Sequence, residues 1–260
     1  MYKRQGYQGT FDGGEYGLDH MRVATTAINN MAGFFEILGG AERGGVVKNL
    51  GIRSGKITSG SYAGGIAGFA VGSNTQIRGC WNAADIVGGN TQTGMSMGGI
   101  VGVFGASVLN STGMVIDGCW NEGNISAGKW DNATASGGIV GRMVSVKNSV
   151  IRNSYNQGMI GQGATATGGI GGIVGRINID ALSNRVEYCY NAGNIAFSMN
   201  YLTGAIVGGG KTSDNTVAGC YYDPANSTGS KDAGYNITAE EARSLTTAQL
   251  QSWAAAYALN

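Results

Sequence analysis

Hydrophobic positions recur along this chain in three columns of β-branched residues, separated by glycine, asparagine and other polar residues. When the repeats are aligned, the first column is Ile66, Ile100, Ile139, Ile173 and Ile206. The second column is Val47, Ile77, Ile116, Ile151, Val186 and Val217, and the third is Ile57, Ile86, Ile125, Ile160 and Ile195. Short β-branched segments bounded by glycine or asparagine are typical of strands. The pattern therefore predicts three short strands in each repeat.

Two phrases carry these columns. The first, Gly-Gly-Ile-Ala-Gly at residues 64–68, returns in similar form at residues 98, 137, 171 and 204. The second, Ile-Arg-Gly-Cys-Trp-Asn at residues 77–82, returns at residues 116, 151, 186 and 217. The phrases keep their form while the distances between them vary, so the variation belongs to connecting loops. This pattern predicts an all-β parallel β-helix, or β-solenoid, of about six coils with strands ~4.8 Å apart.

The alignment divides the chain into three parts. Residues 1–32 are predicted to be an N-terminal cap and entry strand, residues 33–228 the solenoid repeats, and residues 229–260 a helical C-terminal cap. Thr238 and Glu241 have the spacing of a capping box, which predicts a helix that ends near Leu245. Thr246 or Thr247 is then expected to cap a second helix, whose apolar face covers the open end of the last coil.

One charged column runs beside the second hydrophobic column. It reads Arg78, Asp117, Arg152 and Glu187 in successive repeats, so in-register stacking places each charge beside its opposite. We interpret this column as a structural charge ladder, because a slip of one coil would pair like charges. Lys48 stands before Arg78 and interrupts the alternation.

The four cysteines of the chain share a further column with Leu50 and Ser154. They are Cys80, Cys119, Cys189 and Cys220. Stacked side chains keep their Cβ atoms ~4.8 Å apart, which exceeds the ~3.8 Å typical of a disulfide. This favours free, buried thiols, with Cys80–Cys119 and Cys189–Cys220 bridges as the alternative. The chain has no closely spaced cysteine pair and a single histidine, so no metal site is predicted.

The residue that follows this cysteine column in the repeats is aromatic, and this column is the best candidate for binding. Its members are Trp81, Trp120, Tyr155, Tyr190 and Tyr221. If the side chains face outward, they form a strip of rings that suits a sugar or a partner protein. If they face inward or lie under a loop, they belong to the core. The next column, Asn82, Asn121, Asn156 and Asn191, is expected to form a ladder of amides that hydrogen-bond one another.

Composition narrows the classes of partner. The 260 residues include 17 Lys and Arg against 16 Asp and Glu, and a net charge of +1 gives no field that attracts nucleic acid. No apolar stretch is long enough for membrane insertion. No signal peptide is visible, so we expect a fragment or a mature form. The densest polar cluster is Asp12, Glu15, Asp19 and His20, which either binds calcium or belongs to the first turns.

Catalysis is not predicted. His20 is the only histidine, which argues against a zinc hydrolase and against a histidine-dependent triad. The recurrent carboxylates Asp117 and Glu187 alternate with arginines, whereas a glycosidase needs a free pair of carboxylates. No cofactor is expected.

The two phrases together resemble the GLUG-motif repeat. The likeness rests on Gly-Gly-Ile-Val-Gly, as at residues 98–102, followed by Ile-x-x-Cys-Trp-Asn, as at residues 116–121, and it covers residues 9–250. Such repeats occur in bacterial surface proteins and in some immunoglobulin-A-specific metallopeptidases. The peptidases carry a His-Glu-x-x-His zinc motif elsewhere, which this sequence does not contain. The resemblance implies an exported module displayed at the cell surface.

These observations lead us to expect a non-catalytic, extracellular or cell-surface repeat module, similar to part of an adhesin. Its expected partner is a glycan or a host or cell-surface protein, with no nucleic acid and no membrane insertion. One alternative is a structural spacer or a fibre subunit that self-associates through the ends of the solenoid. A second alternative is a polysaccharide-active β-helix enzyme.

Overall fold

The chain winds into a parallel β-solenoid, seen in a computed structural model. The structure describes residues 6–25, 30–89, 94–106, 109–126, 134–161, 168–196, 203–210, 214–227, 231–235, 238–239, 242–246 and 248–249. Strands from successive coils pair in parallel and in register, as Val47, Ile77 and Ile116 do. The predicted fold class is confirmed.

The strands follow the coils. Before the first complete coil come β1 (Thr10–Asp12), β2 (Gly17–Leu18) and β3 (Met21–Thr25). The first coil holds β4 (Met31–Ala32), β5 (Phe35–Leu38), β6 (Val46–Lys48), β7 (Gly51–Ile52) and β8 (Gly55–Ser59). The second holds β9 (Tyr62–Gly64), β10 (Ala67–Ala70), β11 (Gln76–Arg78), β12 (Trp81–Asn82) and β13 (Asp85–Gly88). The third holds β14 (Ser96–Gly98), β15 (Val101–Phe104), β16 (Ser111–Thr112), β17 (Val115–Asp117), β18 (Trp120–Asn121) and β19 (Ile125–Ser126).

The remaining coils repeat this order. The fourth holds β20 (Ala135–Gly137), β21 (Val140–Met143), β22 (Val146–Lys147), β23 (Val150–Arg152) and β24 (Tyr155–Asn156). The fifth holds β25 (Gly169–Gly171), β26 (Val174–Ile177), β27 (Arg185–Glu187) and β28 (Tyr190–Asn191). A partial end follows with β29 (Thr203–Gly209), β30 (Thr216–Ala218), β31 (Cys220–Tyr222), β32 (Lys231–Tyr235), β33 (Thr238–Ala239) and β34 (Ala242–Ser244). The chain thus makes five complete coils between partial ones, close to the six predicted.

Four main sheets run along the solenoid. Sheet 1 has the order β1-β6-β11-β17-β23-β27-β30-β33, and sheet 2 has the order β2-β7-β12-β18-β24-β28-β31-β34. Sheet 3 is β3-β8-β13-β19, continued by bridges from Ile125 to Ile160 and from Ile160 to Ile195. Sheet 4 has two rows, β4-β9-β14-β20-β25 and β5-β10-β15-β21-β26, joined through β29, on which β32 also pairs. The pair β16-β22 stands apart.

The core consists of the predicted hydrophobic columns. All members of the three columns are buried. The first and second columns lie together in the larger of two clusters. The third column lies in a smaller cluster with residues of the first row of sheet 4, such as Met97 and Ile170. The interior of the solenoid therefore contains two aliphatic clusters. The larger cluster holds the first and second columns, and the smaller cluster holds the third.

The glycines of the first phrase bring the strand rows into close contact. A Cβ atom on Gly99 would lie 2.3 Å from Cγ of Asn121, so this glycine makes room for the asparagine column. A Cβ atom on Gly102 would lie 2.8 Å from the backbone nitrogen of Ala63 in the preceding coil. Real Cβ contacts are not this short, so these positions require glycine because of close approach.

Each complete coil carries more segments than the three strands predicted, because two bends divide them. The first phrase contributes two segments, since β9 ends at Gly64 and β10 begins at Ala67. The second phrase also contributes two, separated by a residue with positive φ such as Gly79 (56°) or Gly118 (62°). Left-handed backbone at this position turns the chain from sheet 1 into sheet 2.

The predicted helix that begins at Thr238 is wrong. Thr238–Ala239 (β33) pairs with β30, and Ala242–Ser244 (β34) pairs with β31. The edge of a coil offers backbone donors and acceptors that a strand satisfies, so tertiary pairing overrides the capping-box signal. The second predicted helix does begin, since the Gln249 backbone donates to Oγ1 of Thr246 (3.3 Å) and residues 248–249 are helical. The rest of that helix lies outside the described residues.

Candidate functional site

The five aromatic residues predicted as a binding strip lie one above another on the outer face of sheet 2. They are paired in register from Trp81 through Trp120, Tyr155 and Tyr190 to Tyr221. In the first four repeats, the residues that precede and follow each aromatic residue in the sequence are buried. Because successive side chains of a strand point to opposite faces, the aromatic side chains point outward. Every ring is half-buried. We call this row the aromatic strip.

The first four rings of the aromatic strip, from Trp81 to Tyr190, stack on one another along the solenoid. The ring centroids of Trp81 and Trp120 are 5.8 Å apart with an interplanar angle of 11°. The corresponding values are 5.9 Å and 8° for Trp120 and Tyr155, and 4.7 Å and 4° for Tyr155 and Tyr190. These are offset stacks. Because the faces of these four rings are turned toward one another, this part of the strip presents mainly ring edges to a partner, where the sequence suggested a flat platform.

The polar tips of the strip are neutral hydrogen-bonding groups. Burial raises the pKa of Tyr155 to about 12, and the Glu122 carboxylate adds to the shift. Burial also raises the pKa of Tyr190, with Tyr155 adding to it. Both phenols therefore stay protonated at physiological pH. The Tyr190 hydroxyl is itself buried, so it is not presented at the surface of the strip.

The strip begins where small residues leave room for it. A Cβ atom on Gly51 would lie 2.2 Å from Cε2 of Trp81, so the indole covers the backbone of the preceding coil. A Cβ atom on Gly17, one coil earlier, would lie 3.0 Å from Cζ2 of the same indole. The first ring is thereby held against the scaffold, and the strip extends from it in one direction only.

The asparagine column forms the ladder that the sequence predicts. The side-chain amide of Asn82 donates to Oδ1 of Asn121, that of Asn121 to Asn156, and that of Asn156 to Asn191, each at 2.9 Å. Each of these amides also donates to a backbone carbonyl two residues on, as Asn121 does to Gly123 at 2.8 Å. The four side chains are fully buried. This ladder fixes the strand that carries the aromatic strip.

The charge ladder lies on the outer face of sheet 1, with its members in register. Oδ2 of Asp117 accepts from Nη1 of Arg78 at 3.0 Å and from Nη2 of Arg152 at 2.9 Å. Oδ1 of the same carboxylate accepts from Asn153 at 2.9 Å. Glu187 is the register partner of Arg152 and forms an ion pair with Arg185 at 2.9 Å. Asp117 is the centre of the ladder because it joins three coils.

The structure also explains why Lys48 interrupts the alternation. Its register partner in the preceding coil is Asp12, and its Nζ lies 3.0 Å from Oδ2 of that residue. The backbone N–H of Gly14 lowers the pKa of Asp12, and the side chains of Lys48 and Asn49 add to this. Asp12 thus belongs to the charge ladder. Sequence reasoning missed this role because the partial coil that precedes the first complete coil lacks the second phrase.

We expect Asp117→Asn to lower the free energy of unfolding by roughly 1–2 kcal/mol. The Asp117 side chain is 17% exposed, and its loss of charge leaves two arginines in adjacent coils without their shared anion. Asp19→Asn is the matched control, since Asp19 pairs with Arg53 at 2.9 Å while 51% exposed. Its expected effect is roughly 0–1 kcal/mol. Urea unfolding of both variants makes the comparison, and equal effects would contradict a structural role for the ladder.

The four cysteines are free and buried, as predicted. Their thiols point to backbone carbonyls, for example Cys80 to Arg78 at 3.3 Å and Cys189 to Glu187 at 3.3 Å. Burial raises the pKa of Cys119 and Cys189 well above the usual value for a thiol. The hydrogen bonds with these two thiols lower the pKa of their neighbours Cys80 and Cys220, which are also buried.

Within the described ranges, no group of three or more His, Cys, Asp and Glu side chains is placed to hold a metal ion. In the N-terminal polar cluster, Asp12 pairs with Lys48 and Asp19 pairs with Arg53. Membrane-spanning helices of sufficient length and apolarity are likewise absent from the part of the chain that the structure describes.

Comparison with known proteins supports the assignment of the fold and gives no activity for this chain. No protein-family model and no curated protein matches the chain. Among solved structures, the chain is similar to the crystal structure, at 1.30 Å resolution, of a candidate immunoglobulin A1 protease from Bacteroides ovatus. The TM-score is 0.66, with 21% identity over 95% of this chain and 72% of the other chain. At this level of identity the likeness supports the solenoid fold.

Proposed function

We propose that this protein is a non-catalytic, extracellular repeat module of the GLUG type that binds a glycan or a protein partner through the aromatic strip. The observation that carries the proposal is the continuous row of half-exposed rings on successive coils, from Trp81 to Tyr221. Tryptophan and tyrosine provide large contact area together with a hydrogen-bonding tip, and they are favoured anchors at binding surfaces.

The roles of the neighbouring columns support this assignment. The asparagine ladder is buried and bonded within the stack, and Asp117 is held by two arginines. The side chains of the aromatic strip, in contrast, lie on the outer face of sheet 2 and keep part of their surface exposed. The strip is therefore the feature of this face best suited to an external contact.

Support for a non-catalytic role comes from the state of the reactive side chains. The thiols are buried, and the Asp12, Asp19 and Asp117 carboxylates are bound to basic side chains. The Bacteroides ovatus protein is named a candidate immunoglobulin A1 protease, and that name describes that protein. For this chain the shared solenoid supports an extracellular scaffold, with bacterial surface display as the proposed location.

Self-assembly is a second candidate function, because of the N-terminal edge of the solenoid. Strands β1, β2 and β3 are the outermost strands of sheets 1, 2 and 3 within the described part of the chain. An open parallel edge is a template for another strand. Filaments whose length grows with protein concentration, seen by electron microscopy, would support this candidate.

A glycan array tests the proposed function. We expect the parent chain to bind a subset of glycans, and the Trp81→Ala/Trp120→Ala variant to lose at least about tenfold in affinity, because two adjacent anchors are removed. Ile179→Ala is the control, since Ile179 is 63% exposed and lies off the strip. Thermal unfolding of each variant verifies that it is folded at the temperature of the assay.

The possible outcomes separate the candidates. Equal binding by the parent and the double variant would show that the aromatic strip is not the glycan site. No binding by the parent chain would contradict the glycan version and leave a protein partner or self-assembly.

A further inference from the structure

Tyr188 occupies the turn that leads from sheet 1 into sheet 2 in the fifth coil, between β27 and β28. Its φ is 54°, which lies in the left-handed region. At the equivalent turn of the other coils the residue is glycine or asparagine, the two types that adopt this backbone most readily. These residues are Asn49, Gly79, Gly118, Asn153 and Gly219. The tyrosine is therefore the exception in this column.

The strain at Tyr188 is not offset by burial of its side chain. For a bulky residue the left-handed backbone brings Cβ close to the following carbonyl oxygen, which costs free energy. The residue is nevertheless 62% exposed. None of the described aromatic rings stacks on it. Backbone strain of this kind concentrates at functional positions, so the exposed ring points to a role outside the fold.

The ring of Tyr188 lies against the turn of the next coil. A Cβ atom on Gly219 would lie 2.8 Å from Cδ1 and from Cε1 of the tyrosine, so the glycine makes room for the ring. Two residues after Tyr188 and Gly219 come Tyr190 and Tyr221, which are register partners in the aromatic strip. Tyr188 therefore stands beside the C-terminal end of the strip.

Tyr188 offers a partner a kind of surface that the stacked rings of the strip do not. From Trp81 to Tyr190 the ring faces are turned toward one another. The face of an aromatic ring carries negative potential and attracts the C–H groups on the apolar face of a sugar. The charged residues beside Tyr188 are Arg185 and Glu187, which pair with each other at 2.9 Å. The position therefore suits an uncharged sugar.

We propose that Tyr188 is a binding residue that stacks on one sugar unit of a neutral glycan lying along the aromatic strip. The inference rests on the proposed function, and it names a glycan as the partner of that surface. Pyranose units with equatorial substituents fit best, because they leave C–H groups on both faces of the ring. The edges of the strip contact the other units, and Tyr188 supplies the open ring at the C-terminal end.

Calorimetric titration of the full chain with cellohexaose and with hexa-N-acetylchitohexaose tests the proposal. We expect binding of at least one of them, and at least a roughly tenfold loss of affinity in Tyr188→Asn. The same variant is expected to melt at or above the temperature of the parent, because asparagine adopts the left-handed backbone more readily. Tyr188→Phe keeps the ring, and we expect an affinity within about threefold of the parent.

Tyr16→Asn is the matched control for this substitution. Tyr16 is 76% exposed and lies in the N-terminal partial coil, outside the aromatic strip. We expect this variant to bind the same glycan with the affinity of the parent. An equal loss in Tyr16→Asn and Tyr188→Asn would contradict a specific role for Tyr188.

Three further results would overturn the proposal. The first is unchanged binding by Tyr188→Asn, and the second is a melting temperature of this variant clearly below that of the parent, which would make Tyr188 a packing residue. The third is no binding of either glycan by the parent chain, which leaves a protein as the partner of the strip. Loss of binding in Trp81→Ala/Trp120→Ala but not in Tyr188→Asn would reject only this inference. The reverse result would reject the strip as the site, so the two failures are distinguishable.

Discussion

Gly138→Ala is expected to destabilise the solenoid by roughly 3 kcal/mol or more, because it overpacks the stack. A Cβ atom on Gly138 would lie 2.2 Å from the carbonyl oxygen of Gly172 and 2.4 Å from Cβ of Asn156. The first contact is with backbone of the next coil and the second is with the asparagine ladder. Neither can move without disturbing the neighbouring coils. Urea unfolding measures the effect.

Gly89→Ala is the matched control for this substitution. The nearest atom to a Cβ on Gly89 is Cα of Gly60 at 3.5 Å, an ordinary contact. We expect a change within about 0.5 kcal/mol of the parent. A Gly138→Ala variant as stable as Gly89→Ala would contradict the close approach of the coils.

The last repeat provides a natural comparison for this position. Ala205 replaces the second glycine of the first phrase there, and the same repeat carries Tyr222 in place of the asparagine. Tyr222 is the register partner of Asn191. The glycine is therefore needed where an asparagine of the ladder packs against it.

Asn121→Ala is expected to cost roughly 3 kcal/mol, because it cuts the asparagine ladder in its middle. The Asn121 amide donates to Gly123 at 2.8 Å and to Asn156 at 2.9 Å, and its Oδ1 accepts from Asn82 at 2.9 Å. The substitution leaves the Asn82 amide without its acceptor in the next coil and the Gly123 carbonyl without its donor. Asn82 and Asn121 are fully buried, so water does not replace these partners. Asn148→Gly is the control, since Asn148 is exposed with a φ of 49° that glycine adopts freely.

Asn121→Asp adds a pH dependence with a defined sign. A protonated carboxyl can still donate one hydrogen bond, whereas a carboxylate would face the oxygens of Gly123 and Asn156. Burial without a cation raises the folded-state pKa of such a group above its unfolded value. Stability is then present below the unfolded pKa and lost as pH rises through the folded pKa. Melting temperatures between pH 4 and pH 8 that fall with pH relative to the parent are expected, and a pH-independent difference would contradict this account.

The repeating part of the fold was predictable from sequence because each coil places the same residue types at the same buried positions. Isoleucine and valine recur at positions that prove buried, and the opposite charges of Arg78, Asp117 and Arg152 recur in one register. When copies of one phrase stack, equivalent positions of successive repeats lie next to one another. A column of residues in the alignment therefore becomes a row of neighbouring side chains along the solenoid.

The terminal regions were less predictable because they lack the repeated phrase. The sequence predicts a separate polar cluster that includes Asp12, and only the pairing of β1 with β6 shows this residue beside Lys48. At the other end, the capping-box spacing of Thr238 and Glu241 is a local signal, and pairing of β33 with β30 overrides it. Local propensity is a weak guide where an open sheet edge needs a partner.

The aromatic surface was predictable only in part, for a physical reason. The sequence gives the column of the aromatic strip but not the rotamers, so the stacking of Trp81 on Trp120 was not foreseen.

The central claim is that the buried and charged ladders hold the coils while the aromatic strip binds the partner. The most direct test compares Asp117→Asn and Trp81→Ala/Trp120→Ala on one glycan array, at a temperature where melting curves show both variants folded. The account predicts that Asp117→Asn unfolds at lower temperature than the parent yet binds like the parent, and that the folded double variant loses binding. Retained binding in the double variant together with lost binding in folded Asp117→Asn would contradict it.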